Sequence, residues 1–405
     1  MADSSANAGL KLESMKVVEG SYALAHAVMC CSPDVVSAYP ITPQTHIVEH
    51  LSQFVADGLM PSEFITVDSE FSALSALVGS SVAGARCYSA TTSQGLALMF
   101  EVLYNVSGMR LPVVMTVANR ALSAPLSIWN DHQDSMGVRD SGWIQLYAES
   151  VQEAVDLTPI AYKIAEDEDI LTPAMVCMDG FILTHVYEPV QLLDLETVNE
   201  FLPPYTPKIV LDPKNPKTFG AFVDPSMFTE YRYMQCQAQN KALSAIERAD
   251  REFSEIFGRS YGGLLEVYGG DDAEVMLIAM GSVSGTIKDT IDELRSDGVK
   301  VGLTRIRSFR PFPVEAIRKA VADAHVIAVI EKDVTVGNDG ALVSEIKAAL
   351  YNSKVGIPVI GFAVGLGGRD VTVADVKRAV AKALAAKDGR MDHEFEFLSL
   401  REELL

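Results

Sequence analysis

Several stretches of the chain carry polar side chains where an apolar run gives way to a helical pattern. In SAYPITPQTHIVEHL (37–51), Thr42 stands between Pro40 and Pro43. Proline fixes its own φ and restricts the residue before it, so this turn presents one hydroxyl rigidly. In TVDSEFSALSALVGSSVAGAR (66–86), Glu70 opens a helix rich in Ala, Ser and Gly, a surface that another backbone or a flat ligand can approach closely. SATTSQGLALM (89–99) repeats the pattern, with Thr91, Thr92 and Ser93 in the turn. The long polar stretch ANRALSAPLSIWNDHQDSMGVRDSG (118–142) offers Arg120, His132 and Arg139 near Asp131, Asp134 and Asp140. Arg120 follows a strand, and a guanidinium fork there suits a substrate carboxylate.

Each of these residues also has an ordinary structural role. A first-turn glutamate complements the helix dipole. Threonine and serine before a helix commonly cap it. Mixed charges in a long loop pair at a surface, and His132, a proton carrier by type, serves equally as a structural histidine. Trp129 either faces a substrate side chain or anchors its loop. A loop this long with Trp, Ile and Leu inside it is nonetheless more often functional than idle. Other chemistries lack their residues. There is no G-x-G-x-x-G after a strand, no G-x-x-x-x-G-K-[ST] and no G-x-S-x-G. GGDDAE (269–274) and GLGGRD (365–370) read as turns.

The elements that position these residues follow from hydrophobic pattern. Short apolar runs at Val35–Tyr39, Phe64–Val67, Arg86–Thr91, Val113–Ala118, Ile144–Tyr147 and Ala174–Met178 alternate with helical segments near 19–30, 44–56, 71–84, 95–108 and 151–166. Such alternation predicts a parallel sheet covered on both faces, with ligands beyond the carboxyl ends of its strands. Residues 202–225 contain six prolines and predict an extended segment, wrapping either a partner or the chain's own domains. A helix over 227–257 follows, with Tyr231, Met234, Ala238, Ala242, Ile246, Ala249, Phe253 and Ile256 as its apolar stripe. A second α/β unit begins near Asp272, its strands in EVMLIAMGS, KVGLTRIRSF, VIAVIEKD and PVIGFAVG and its helices near 284–297, 314–323, 339–353 and 372–386. The predicted domains are therefore 15–258 and 259–390, both α/β with parallel sheets.

With 405 residues and 48% hydrophobic content the chain has room for two cores. Its net charge of -21 opposes a nucleic-acid partner. The five cysteines form no C-x-x-C and no metal-ligand spacing, so the chain is expected to hold no metal or iron–sulfur cluster, with reduced thiols in a cytoplasm. The stretch MADSSANAGLKLES lacks the basic and apolar regions of a signal peptide, and no apolar run is long enough to span a bilayer, so no membrane role is expected.

Taken together, YPITPQT, VDSEFSAL, TSQGLALM, NRALSAPLSIWNDHQD, RDSGWIQLYAES, RPFP and GLGGRD resemble the alpha subunit of multi-subunit 2-oxoacid:ferredoxin oxidoreductases of the pyruvate synthase type. The resemblance is colinear from about Val17 to Ala385. It implies a pyrimidine-binding-like first domain and a transketolase C-terminal-like second one. It implies thiamine diphosphate shared with a beta subunit, and oxidative decarboxylation of a 2-oxo acid, pyruvate by default, to acyl-CoA and CO2. By that match Glu70 is the carboxylate on the aminopyrimidine and the catalytic residue. Thr42 and Arg120 contact substrate, Thr92 and Ser93 line the cofactor, and Asp131 and His132 stand behind them. The chain lacks a GDG…NN diphosphate motif. The resemblance therefore puts Mg2+ and diphosphate on a beta subunit and iron–sulfur clusters on partner subunits, with gamma and ferredoxin-like delta subunits completing the complex. Coenzyme A takes the acyl group, and ferredoxin or another acceptor takes the electrons. Branched-chain 2-oxo acids and phenylglyoxylate are the alternative substrates. A non-catalytic scaffold subunit and a self-sufficient transketolase-like or NAD-dependent enzyme are the alternatives of other classes. The first is at odds with the presence of Glu70, Thr42 and Arg120, the second with the missing diphosphate and dinucleotide motifs.

Overall fold

The central strands Cys87–Thr91, Val114–Asn119 and Ala174–Asp179 are buried at every position. Continuous apolar runs of this kind survive only inside a sheet covered on both faces. In the computed structural model, which describes residues 15–353 and 356–405, they form the middle of a seven-stranded sheet. Its order is Ser308–Arg310, Ile144–Tyr147, Ala174–Asp179, Val114–Asn119, Cys87–Thr91, Val35–Ser37, Glu63–Ile65. All neighbours pair in parallel except Ser308–Arg310, which runs antiparallel to Ile144–Tyr147. The stretch MADSSANAGLKLES lies outside the described residues.

A second sheet has six strands in the order Phe395–Phe397, Val359–Ala363, Val326–Glu331, Val275–Ala279, Val301–Ile306, Leu265–Tyr268. It too is parallel except at one edge, where Leu265–Tyr268 opposes Val301–Ile306. The two expected parallel α/β units are thus present, each with an antiparallel edge that hydrophobic pattern did not reveal. Leu265–Tyr268 is short and partly exposed, so it lacks the apolar signature of the centre, while Ser308–Arg310, though mostly buried, has only three residues. Lys16–Glu19 and Tyr187–Val190 form a separate antiparallel pair for the same reason.

The expected helices are found, with the 95–108 segment divided at Met99 into Ser93–Leu98 and Phe100–Gly108. Helices Gly20–Cys30, Thr45–Ala56 and Val151–Ala165 cover one face of the first sheet. Helices Glu70–Val82 and Phe100–Gly108 cover the other, in an apolar layer that continues without a break onto the second sheet through Met276, Ile278 and Phe309. Ser308–Arg310, from the second unit, is part of the first sheet, so the two units share both a sheet and a core. Buried charges also join them. Glu153 accepts from Arg305 Nη1 at 2.7 Å and from Arg307 Nε at 2.6 Å. Burial pushes the Glu153 carboxyl up, yet the two guanidinium groups hold it below the ordinary range.

The long helix, Phe228–Phe257, buries Ala238, Ala242, Ala245, Ile246, Ala249 and Phe253, but Tyr231, Met234 and Ile256 of the predicted stripe are exposed. The proline-rich segment lies against its own chain. Leu211 N donates to the Val82 carbonyl at 2.9 Å, and Arg86 Nη2 donates to the Pro203 carbonyl at 2.7 Å. Among the described residues no helix is long and apolar enough to cross a membrane. All five cysteines are free, and Cys236 alone of them is exposed.

Candidate active site

In the seven-stranded sheet the chain begins at Val35–Ser37, steps to one side, and then crosses to Cys87–Thr91 on the other. That reversal leaves a crevice beyond the carboxyl ends of these strands, the place where open α/β sheets bind ligands. Thr42, Glu70, Thr92 and Arg120 each follow one of four adjacent strands there. The fold therefore brings together residues spread over 79 positions of sequence, from Thr42 to Arg120.

Thr42 is exposed and its hydroxyl has no partner among the described residues. Its backbone is held firmly. Arg120 Nη1 donates to the Thr42 carbonyl at 2.8 Å, while Arg120 Nε donates to the Ser127 carbonyl at 3.1 Å. The Thr42–Pro43 bond is cis. Gln44, fully buried, donates through Nε2 to the Ala90 carbonyl at 2.5 Å and tethers the turn to the next strand. Sequence reasoning passed over Gln44, whose partner lies 46 residues away. Gly180 completes the seat, since a Cβ there would lie 2.5 Å from Pro43 Cγ and 2.6 Å from the Asn119 carbonyl oxygen.

Glu70 occupies the first turn of its helix, after Ser69, whose hydroxyl caps the helix by accepting from Ser72 N at 3.2 Å. With Ser69 as the cap, the Glu70 carboxylate is not needed for capping. It is buried to 7% exposure and takes no hydrogen bond from the described chain. It packs against Gly95, where a Cβ would lie 2.6 Å from both Glu70 Oε1 and Thr91 Oγ1. Thr91 Oγ1 is itself buried without a partner. The Glu70 carboxylate, without a partner among the described residues, and the buried unpaired Thr91 hydroxyl flank one glycine and form a polar cradle, and the hydroxyl costs free energy unless something fills it.

Thr92 and Ser93 do not cap the helix that follows them. Thr92 Oγ1 donates to the Ala118 carbonyl and Ser93 Oγ to the Ala121 carbonyl, each at 2.5 Å. Both are fully buried. Their hydroxyls thus lock this turn to the next strand end.

The 118–142 loop is far from a salt-bridged surface excursion. Asn130, Asp131, His132, Asp134 and Ser135 are all buried, and Gln133–Gly137 is a short helix. Asp134 accepts from Ser93 N and Arg120 N through Oδ2, at 2.9 and 3.0 Å. Through Oδ1 it accepts from Asn119 Nδ2 and Ser135 N, both at 2.8 Å. One carboxylate thereby fixes the Ser93 turn, the Arg120 backbone and its own helix. Burial raises its pKa and these donors oppose the rise.

His132 and Asp131 tie the loop to the second unit. His132 shares a hydrogen with Asp179 Oδ1 across 2.7 Å, and Asp179 Oδ2 meets Lys332 Nζ at 3.2 Å. Burial favours the neutral acid at Asp179, but Lys332 and His132 beside it hold that carboxyl far below its usual range. Asp131 accepts from Gly367 N at 3.0 Å, and burial pushes its pKa up to about 6. The end of the strand segment VIAVIEKD and GLGGRD, read above as a turn, are the clasps of the Arg120 loop. Trp129 lies on Phe181, ring centroids 4.6 Å apart, and anchors the loop while half exposed.

The clefts of about 960 and 990 Å3 lie under the proline-rich segment and beside the Pro313 turn, and neither includes Thr42, Glu70 or Arg120. The unpaired catalytic-type groups are at the strand ends instead.

Residues 26–251 match the family described as pyruvate flavodoxin/ferredoxin oxidoreductase, thiamine diphosphate-binding, and residues 273–376 match pyruvate:ferredoxin oxidoreductase core domain II. The chain is 57% identical to the pyruvate synthase subunit PorA of Methanosarcina barkeri, over 96% of this chain and 98% of that one. It is 43% identical to the ketoisovalerate oxidoreductase subunit VorA of Pyrococcus horikoshii, over 95% and 98%. Among solved structures, the 2-oxoglutarate:ferredoxin oxidoreductase of Magnetococcus marinus superposes with a TM-score of 0.73 at 19% identity, over 92% of this chain and 65% of that one. A split-gene transketolase superposes with a TM-score of 0.56 at 14% identity, over 92% and 100%. These last two are likenesses of fold.

Proposed function

Because the chain belongs to the pyruvate flavodoxin/ferredoxin oxidoreductase family, we propose that it is the half of a thiamine-dependent active site that holds the pyrimidine and the 2-oxo acid, and that the acid is pyruvate. The observation that carries this reading is the cradle at Gly95. There the Glu70 carboxylate, unpartnered among the described residues, faces the buried and unpaired Thr91 hydroxyl at the switch point of a parallel sheet. An aminopyrimidine edge offers donors and acceptors of the right type for both.

Thiamine diphosphate, when bound, supplies the electron sink that takes the bonding pair as CO2 departs. The residues of this chain do the rest of the work on their side. Glu70, held out of bulk water, is placed to hydrogen-bond the aminopyrimidine and exchange a proton through its carboxylate. Arg120 uses Nε and Nη1 on carbonyls, which leaves Nη2 free for one oxygen of a substrate carboxylate. Thr42 presents its hydroxyl beside that guanidinium. Thr92, Ser93 and Asp134 hold the three turns in register.

The reading places diphosphate and Mg2+ on a beta subunit, iron–sulfur clusters on further subunits, and coenzyme A and ferredoxin as co-substrates. One feature supports an incomplete site: Phe71, Leu98 and Phe100 are exposed on the helix that Glu70 opens and on the two helices packed against it. Pyruvate is favoured over branched-chain acids by the identity of 57% against 43%. The test is turnover of the assembled complex over pyruvate, 2-oxoisovalerate, 2-oxoglutarate and phenylglyoxylate. The reading expects the highest kcat/KM for pyruvate, and a higher value for any of the others would overturn that assignment.

A further inference from the structure

The same helix that follows Thr42 carries a pattern not used above. In THIVEHL, His46 and His50 are four residues apart, so they share one face of the helix Thr45–Ala56. Glu19 faces them from the end of the strand Lys16–Glu19. That strand pairs with Tyr187–Val190, Glu19 opposite Tyr187, which brings His185 to the same spot. Four side chains from three distant parts of the sequence therefore meet.

Their geometry is that of a metal-ligand set. His46 Nδ1 lies 2.7 Å from Glu19 Oε1, and His50 Nε2 lies 3.7 Å from Glu19 Oε2. One ligand atom from each of Glu19, His46 and His185 falls within 4.8 Å of the others. The His46 and His185 ring centroids are 4.7 Å apart with planes tilted by 31°. Two imidazoles bound to one ion through bonds of about 2.0–2.1 Å put their ring centres at close to this separation, roughly 5 Å. The Thr184 hydroxyl lies 2.7 Å from His185 Nδ1 and is itself fixed by Phe181 N at 2.8 Å. A partner on one ring nitrogen fixes the ring and leaves Nε2 as the free donor, the usual arrangement behind a metal-bound histidine. The His46 side chain is 43% exposed, which gives an ion a path from solvent.

We propose that Glu19, His46 and His185 bind a divalent transition-metal ion of the zinc type. Two imidazoles and one carboxylate suit zinc and its neighbours better than the hard ions magnesium and calcium. The site is independent of the strand-end reading above. It cross-links the helix that begins three residues after Thr42 to the strand pair formed by Lys16–Glu19 and Tyr187–Val190. Through the stack of His185 on Phe181 and Phe181 on Trp129, at 4.7 and 4.6 Å, it abuts the Arg120 loop. Its consequence is a more rigid mount for both substrate turns.

The experiment is zinc binding to the assembled complex. Complex stripped with a chelator is dialysed against zinc sulfate, washed, and its zinc counted by mass spectrometry, for the natural protein and for His46→Gln and His185→Gln. The expected result is one zinc per copy of this chain in the natural complex that both variants lose. X-ray absorption at the zinc edge should show imidazole nitrogens at about 2.0 Å. Glu19→Gln, which keeps the side-chain shape, should weaken retention at least about tenfold and serves if a histidine variant fails to assemble. Equal zinc in the natural complex and all variants overturns the site and leaves Glu19 and His46 as a hydrogen-bonded pair only.

Discussion

Arg120 Nη1 donates to the carbonyl of Thr42 at 2.8 Å. The guanidinium thus carries the backbone of Thr42, so in the proposed reading the two groups that would meet the substrate are mounted on each other. Replacing Arg120 by Ala removes both the anchor and the carboxylate-binding charge. A charge-assisted bond is worth about 1.5–3 kcal/mol, so kcat/KM for the 2-oxo acid should fall about 10- to 100-fold. Thr42→Val keeps the shape and deletes one neutral hydrogen bond, with a smaller loss of about 3- to 10-fold. Steady-state kinetics of the complex measures both, and an effect of Thr42→Val exceeding that of Arg120→Ala would contradict the anchoring.

Asp134 accepts four N–H groups from three turns. Asp134→Asn places an amide among donors and leaves at least one of them unpaired, at a cost of about 1–3 kcal/mol. Because Asp134 fixes the Arg120 backbone and touches no substrate, the loss should appear mainly as a raised KM. A variant with unchanged KM and unchanged thermal midpoint would show that the four bonds are not needed to position Arg120.

At Gly95 a single methyl group would fall 2.6 Å from Glu70 Oε1 and Thr91 Oγ1. Overpacking of this kind costs about 1–3 kcal/mol. Gly95→Ala should therefore weaken thiamine diphosphate binding by about tenfold or more while leaving assembly intact. Titration of cofactor into stripped complex measures it. Binding as tight as in the natural protein would move the cofactor away from this cradle.

Glu331 caps the helix Ala341–Tyr351, accepting from Leu342 N at 2.8 Å and Val343 N at 3.1 Å. Burial first, then Asp333, pushes its pKa up to about 8. A raised carboxyl binds its proton more tightly folded than unfolded. Its contribution is complete below the unfolded value near 4.5 and is lost as pH rises through about 8. The thermal midpoint should decline from pH 6 to 9, and Glu331→Gln should flatten that slope whatever it does to the midpoint itself. The same slope in the variant would assign the pH dependence elsewhere.

What the sequence revealed and what it withheld follow from distance and burial. Central strands such as Val114–Asn119 were legible because two covered faces demand an uninterrupted apolar run. Leu265–Tyr268 and Phe395–Phe397 were not, since short half-exposed edges carry no such pattern. Glu70, Thr42 and Arg120 stood out because each follows a strand. The burial of the 118–142 loop was illegible because its clasps come from Lys332 and Gly367, the latter 236 residues from Asp131. Gln44 was overlooked, and Asp134 was noted only as one charge of the loop, for a related reason: a carboxylate or amide satisfied by distant backbone resembles any other polar residue in a string.

The central claim is that Glu70 acts on the cofactor. The most direct measurement is thiamine-dependent, coenzyme A-dependent oxidation of pyruvate by the complex assembled with Glu70→Ala, beside Glu70→Gln. The structure predicts that Glu70→Ala abolishes turnover and that Glu70→Gln, which keeps the shape and loses the exchangeable charge, retains at most about a hundredth of it. Full activity in an assembled Glu70→Ala complex would contradict the claim.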